Sequence, residues 1–327
     1  MQKTEVFQCG GVRIEVAPDE ATMGRLTAEH IIGVMKAKRT EGVPVALWLM
    51  AAPSAFAFYK ELITTAERDD TLRDILRETH FFQFDDYPIS RQSPKFKATF
   101  RYLLESNLFE PLAKICGKLQ VHPLELNGTD ADAAVMTGYR DDLLALKRKG
   151  VYFIQLKGIG MDGHWGFHGA ETPLDAEPGM ITVPMHSQNV RQQMLDWPEF
   201  FPTAADVPQT ACTFNVGMFL KADEIVDNVP QAGKAYSVLA AYGTEAVINA
   251  VPSSAIKRHP RARAYLTTAS ASALLEFRRA RQADPKARLS DRTLAQLRDL
   301  WRDPKSPDAG AKNIAIMEQV LRQLGMI

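Results

Sequence analysis

The stretch VYFIQLKGIGMDGHWGFHG, residues 151–169, decides the fold. Its first half is a short apolar run, the signature of a strand buried on both faces. Its second half packs five glycines, an aspartate, two histidines and a tryptophan into residues 158–169. An apolar strand that ends abruptly in glycines and ionisable groups suits the carboxyl end of a parallel strand, where such sheets bind ligands. The preceding segment ADAAVMTGYRDDLLALKRKG reads as a helix stopped by Gly150, the crossover that parallel neighbours need.

The same alternation runs outward in both directions. VRIEVA suggests a strand or hairpin, and residues 20–38 a helix with Met23, Leu26, Ile31, Ile32 and Met35 on one stripe. VPVALWLMAAPS reads as a buried strand and small-residue turn, followed by a helix through Tyr59 and Leu62. HFFQFDDYPIS is expected as one strand, residues 96–104 as a helix, and LELNG as a short strand. Towards the end, KADEIVDNV and ARAYLTT are expected strands with a helix over AYSVLAAYG between them. The expected fold is α/β: a three-layer α/β/α arrangement around a mostly parallel, Rossmann-like sheet. Residues 1–275 would form that domain, and the charged residues 276–327 a helical C-terminal extension. Four strand ends would carry polar groups to one edge: AAPS at 51–54, DDY at 85–87, DGH at 162–164 and QAGK at 231–234.

The 327 residues are 46% apolar and 24% charged, ordinary for a globular protein. Lys plus Arg and Asp plus Glu both number 39, so the overall field gives no reason to expect nucleic acid or an anionic membrane as partner. The three cysteines lie about a hundred residues apart, without metal-knuckle or redox spacing. No apolar run approaches the roughly 20 residues of a membrane span, and the N-terminus has no apolar leader core, so a cytoplasmic location is expected.

Asp162 and His164 are two apart, so on extended backbone they face the same way and can share a proton, a common acid–base unit. His164 and His168 form HxxxH, but Trp165 stands where a zinc protease has glutamate, and three glycines oppose a helix; no metal is expected. Asp85 and Asp86 face opposite sides if extended, and an Asx-type turn before Pro88 explains them as well. Lys234 lies where a strand turns into a helix, a place that favours anions. Ser54 reads as an anion contact or a helix cap, and Arg191 as an anion clamp or a solvated helix residue.

Together these segments resemble the glucosamine-6-phosphate deaminase/isomerase family, whose fold is shared with the 6-phosphogluconolactonases. GIGMDGHWGFHGA is similar to the family loop G-x-G-x-D-G-H-x-A-F-N-E-P, QFDDY to its FNMDEY, VGMFLKADEIVDNVPQAGKA to its segment ending in a phosphate-contacting lysine, and SSAIKRHPRARAYL to its S-x-L-Q-x-HP region. The resemblance spans residues 40–275 in order. It implies catalytic roles for Asp85, Asp162 and His164, and substrate contacts at Ser54, Asp86, Gly163, Arg191 and Lys234. The reaction implied is aldose–ketose isomerisation with or without loss of ammonia, without cofactor or metal, on a phosphorylated or acidic sugar. Lactone hydrolysis is the rival enzymatic reading, and a sugar-phosphate-binding protein that has lost turnover the third. A homo-oligomer is left open.

Three departures stand out. The family's phosphate loop T-G-[GS]-[ST]-P falls on Ala51-Ala52-Pro53-Ser54, and Pro53 removes an N–H that could meet phosphate. The family's supporting glutamate falls on Gly169, while Glu171, two residues late, could substitute only through a rebuilt loop; His168 is a further candidate site residue. Arg191 is the nearest counterpart of the family's arginine, and Gln231 replaces a strand-to-turn glycine.

Overall fold

The computed structural model describes residues 4–302 and 307–327. The chain opens with an antiparallel hairpin, β1 (Glu5–Cys9) and β2 (Val12–Ala17). Helix α1 (Glu20–Thr40) follows, capped by Asp19, whose carboxylate accepts from Thr22 N–H at 2.7 Å. Such a cap contributes about 1 kcal/mol. Strand β3 (Val45–Leu49) has every side chain buried, as a strand covered on both faces must. Next come α2 (Phe56–Ala66), α3 (Asp70–Glu78), β4 (His80–Gln83) and β5 (Asp85–Asp86). A broken helical stretch, α4 (Phe100–Leu104) and α5 (Glu110–Cys116), leads to β6 (Gln120–His122), α6 (Asp132–Arg148) and β7 (Tyr152–Lys157). The remaining elements are β8 (Met180–Pro184), α7 (Ser187–Asp196), β9 (Thr210–Phe214), α8 (Val216–Phe219), β10 (Glu224–Val229), α9 (Ala235–Tyr242) and β11 (Ala262–Thr267). Three helices close the chain: α10 (Ser272–Ala283), α11 (Asp291–Trp301) and α12 (Pro307–Gln323).

Eight strands form one sheet in the order β1-β2-β11-β10-β7-β3-β4-β6, parallel except for β1. From β3 the chain steps outward through β4 to β6; it then returns to β7 and steps the other way through β10 to β11. The reversal between β3 and β7 is a topological switch point, and it opens a crevice at the carboxyl ends of those two strands. A small antiparallel sheet, β5-β9-β8, stands beside that crevice. Among the described residues, no helix is long and apolar enough to cross a membrane.

The structure departs from the sequence expectation in several places. HFFQFDDYPIS is two strands in two sheets. Gln83 N–H donates to the Tyr139 hydroxyl of α6 at 2.8 Å, and the chain then leaves the large sheet so that Asp85 and Asp86 pair with Thr213 and Cys212 of β9. LELNG is not a strand, because Asp132 accepts from the N–H groups of Asn127 and Gly128 and curls it into a loop; β6 lies just before it. Helix α3 and strand β8 were not foreseen. Residue 275, the expected end of the main domain, falls inside α10, which packs against α9. Beyond it, α11 and α12 are joined by the Arg298–Glu318 ion pair, and Trp301 packs edge-on against Tyr236 of α9 at 4.9 Å.

Candidate active site

All four polar strand ends meet at the switch point around a cleft of about 310 Å³. Of the residues expected from sequence, Ser54, Asp85, His164, Arg191 and Lys234 line it, and Asp162 stands directly behind His164.

The Asp162–His164 pair sits on a turn built for it. Asp162 Oδ1 faces His164 Nδ1 at 2.7 Å and also accepts from the His164 N–H at 3.1 Å. Burial works against the Asp162 charge, but the imidazole and N–H of His164 outweigh it and hold the carboxyl down at about 2. An ionised carboxylate can only accept, so Nδ1 carries the hydrogen and Nε2 is left for proton exchange. The turn is fastened from the 252–258 segment, where Ser253 N–H donates to the Gly163 carbonyl and the Ser253 hydroxyl to the His164 carbonyl. Gly160 makes room for the ring, since a Cβ there would stand 2.0 Å from His164 Cε1. We expect Gly160→Ala to push the imidazole out of place and lower kcat about 100-fold while the protein still folds. Turnover kept within a factor of two would show that the ring position does not matter.

Gly163 has φ +94° and does not line the cleft; a Cβ would stand 2.7 Å from Val251 Cγ1. Its positive φ forms the turn that carries His164.

Asp85 and Asp86 separate cleanly. The Asp85 carboxyl lines the cleft, is 3% exposed, and makes no hydrogen bond among the described residues. Burial, reinforced by neighbouring Asp86, pushes it well above the ordinary carboxylate range. Asp86 turns the other way and does not reach the cleft. Its oxygens accept from Tyr87 N–H (2.8 Å), Phe100 N–H and Arg101 N–H (both 2.9 Å) and Gln83 Nε2 (3.0 Å), closing the start of α4. Burial raises Asp86 to about 6, with those donors pulling against it, so it carries the pair's negative charge at neutral pH.

The far end of the cleft holds Lys234 and Ser54. Burial lowers the Lys234 ammonium to about 8, against the opposing pull of Asp196 and Asp162. Its Nζ donates to Gln192 Oε1 at 3.0 Å, and the Ser54 hydroxyl donates to Gln231 Oε1 at 2.9 Å. Arg191 is at the rim, but its guanidinium donates to the carbonyls of Leu300 and Arg302, tying α7 to the end of α11. Leu300 itself lines the cleft, so the C-terminal extension forms part of the wall. Gln192 and Asp196 also line it and were missed in the sequence. They lie on a polar helix with the composition of a solvated one, and only its return across the strand ends makes them part of the site.

His168 and Glu171 do not support His164. His168 is fully buried; its Nδ1 accepts from Val216 N–H and its Nε2 donates to the Thr172 carbonyl, so it is a neutral structural imidazole. Glu171 pairs with His186 at 2.9 Å. Glu171 and His186 line a second cavity of about 360 Å³ behind Asp162 and His164, whose other walls include Trp301 and Asn313 of the C-terminal helices.

An acid–base pair and a buried carboxyl face one crevice at the switch point of a three-layer α/β fold, so the class is an α/β protein with its candidate site on the strand ends. No family model matches the chain. Its sequence is similar to glucosamine-6-phosphate deaminases from Streptomyces coelicolor, 28% identical over 80% of this chain and 93% of that enzyme, and from Geobacillus, 24% over 73% and 86%. The Shouchella clausii enzyme is 30% identical over a shorter match, which spans 33% of this chain and 40% of that enzyme's length. Among solved structures, a monomeric glucosamine-6-phosphate deaminase of the NagB superfamily superposes with TM-score 0.63 at 19% identity, covering 79% of this chain and 98% of the other. The 6-phosphogluconolactonase of Leishmania guyanensis gives 0.55 at 17%, covering 79% and 96%. The chain is similar in sequence to glucosamine-6-phosphate deaminases and shares its fold with the glucosamine-6-phosphate deaminase and 6-phosphogluconolactonase structures.

Proposed function

We propose that this protein interconverts an aldose and a ketose, with or without loss of ammonia, on a sugar carrying a remote anionic group, phosphorylated or acidic. The observation that carries this reading is that Asp85 and the Asp162–His164 pair face one cleft. His164, held by Asp162, would open the sugar ring by moving a proton between the ring oxygen and the C1 hydroxyl. Asp85, ionised when substrate is engaged, would take the C2 proton and return it to C1 through an enediol or enolamine. A buried carboxyl with raised affinity for protons suits that carbon acid better than an exposed one. Lys234, with Ser54, would hold the anionic end and fix the reacting carbons in place. Solved relatives that are lactonases favour a second reading, in which His164 activates water against a sugar lactone. Asp85 has no evident part in that hydrolysis, and it is what favours isomerisation.

A panel of amino-sugar and sugar phosphates and hexuronates, read for ammonia and ketose, tests the proposal. Product from one member supports it. Hydrolysis of 6-phosphogluconolactone with no isomerisation overturns it in favour of the lactonase, and ligand-induced thermal stabilisation without any turnover in favour of a binding protein.

The pH profile follows from the two shifted groups. Asp85 must be ionised to act as base, so kcat/KM rises with pH through its elevated range. Lys234 holds an anion only while protonated, so KM rises as pH passes about 8. The expected profile is a bell whose alkaline limb appears in KM, and an alkaline limb in kcat alone would contradict the anchoring role of Lys234.

A further inference from the structure

The end of the cleft that would hold the substrate's charge is poorly matched to a dianion. Both side-chain donors there already meet glutamine carbonyls, Ser54 on Gln231 and Lys234 on Gln192. The same Gln192 amide leans towards Asp196, with Nε2 3.4 Å from Oδ2, so one amide spans the ammonium and a carboxylate. Arg191 lends the rim a positive charge, but its N–H groups are engaged by the main-chain carbonyls of α11 and its end. Of the charged groups lining this end, Lys234 and Arg191 set against Asp196 leave a net of one positive charge, and Asp162, behind His164, offsets Lys234 further. Lys234 is 7% exposed, so water does little to screen any imbalance. One negative charge on the ligand brings this end of the cleft to neutrality. Two would leave an unpaired negative charge in a buried place, which is costly. The strand-end loop adds little, because Pro53 has no N–H to offer a third phosphate oxygen.

Shape points the same way. Gln231 and Gln192 both project side chains into the cleft wall. A carboxylate at C6 of a hexose is two bonds nearer the reacting carbons than the phosphorus of a 6-phosphate ester. It needs one ionic and one neutral donor, which Lys234 and Ser54 supply, and each glutamine carries an NH₂ besides.

We infer that this cleft selects a sugar whose remote group is a carboxylate, of the hexuronate class, over the same sugar bearing a phosphate dianion, with Gln231, Gln192 and Asp196 setting the preference. The inference rests on the isomerase reading for which end of the substrate reacts. Its test is therefore a binding measurement that needs no turnover.

Calorimetry at pH 7 with the full chain would compare L-gulonate with D-glucitol 6-phosphate, the reduced and unreactive forms of glucuronate and glucose 6-phosphate, and the corresponding galacto pair. In at least one series the carboxylate should bind about ten-fold more tightly or better, a difference of about 1.4 kcal/mol. Asp196→Asn, close to isosteric, and Gln231→Ala, which frees the Ser54 hydroxyl, should each move the ratio about ten-fold towards phosphate, with melting temperature checked for both. Tighter binding of the phosphates by the unaltered protein, no binding of any of the four, or an unmoved ratio in both variants overturns the inference. A carboxylate preference without turnover of hexuronates or hexose 6-phosphates leaves the inference standing and sinks the isomerase reading alone.

Discussion

Replacing Asp85 by Asn should reduce kcat about 1,000-fold without lowering the melting temperature, because the change removes a proton carrier and nothing that holds the fold. The carboxyl is buried, makes no hydrogen bond among the described residues, and lies beside the charged Asp86. A neutral amide of the same shape adds no charge beside Asp86 and fits between β5 and the Gly166 turn, where a Cβ built on Gly166 would come within 3.2 Å of Asp85 Oδ2. His164→Gln should lose a similar factor, since the Asp162 carboxylate then orients an amide that cannot shuttle protons. Activity in both variants within ten-fold of the parent would refute the assignment of the acid–base machinery. Asp86→Asn separates the neighbours. It replaces one of the acceptor oxygens that close the start of α4 by an NH₂ donor, so it should cost stability before it costs chemistry.

The second large effect is on stability and lies under the same loop. Lys157 of β7 and Asp227 of β10 stand opposite one another in register, with Nζ to Oδ2 at 2.9 Å and neither side chain exposed. The Tyr242 hydroxyl donates to the same Oδ2, and the Lys157 ammonium lies 4.7 Å from the centre of the Trp165 ring. Burial lowers the Lys157 ammonium, with Asp227 pulling the other way. Asp227→Ala leaves a buried cation without its partner and should destabilise the protein by about 3–5 kcal/mol in denaturant unfolding. Replacing both, Lys157→Met with Asp227→Leu, should recover most of that loss, because burying two charges costs about as much as their attraction returns. A double variant no better than the single would mean the loss comes from packing rather than from an orphaned charge. Because Lys157 directly precedes Gly158 and packs on Trp165, the single variant should also loosen the loop that carries His164.

Much of the fold was legible from residue patterns. Strands β3 and β7 read as apolar runs because each is covered on both faces, and helix α6 showed its end through Gly150. Local patterns failed where a distant partner decides the outcome. Tyr139 of α6 diverts the chain after Gln83, and Asp132 curls LELNG away from any sheet. The site divided in the same way. Asp162 and His164 are two residues apart, so their contact is a local matter that spacing predicts. Gln192 and Asp196 came from a helix that looks solvated, and their place on the cleft depends on where α7 is carried.

The sequence by itself therefore determined the alternation of strands and helices, the loops that would gather at one sheet edge, and the carboxylate–imidazole pair. These depend on periodicity and on neighbours within a few residues. Only the tertiary structure decided that Asp85 faces the cleft while Asp86 caps a helix, that His168 and Glu171 serve other partners, and that Lys234 shares its end of the cleft with Asp196. The physical reason is that a side chain's charge state and role are set by what is buried against it. In this chain those neighbours come from residues tens to hundreds of positions away.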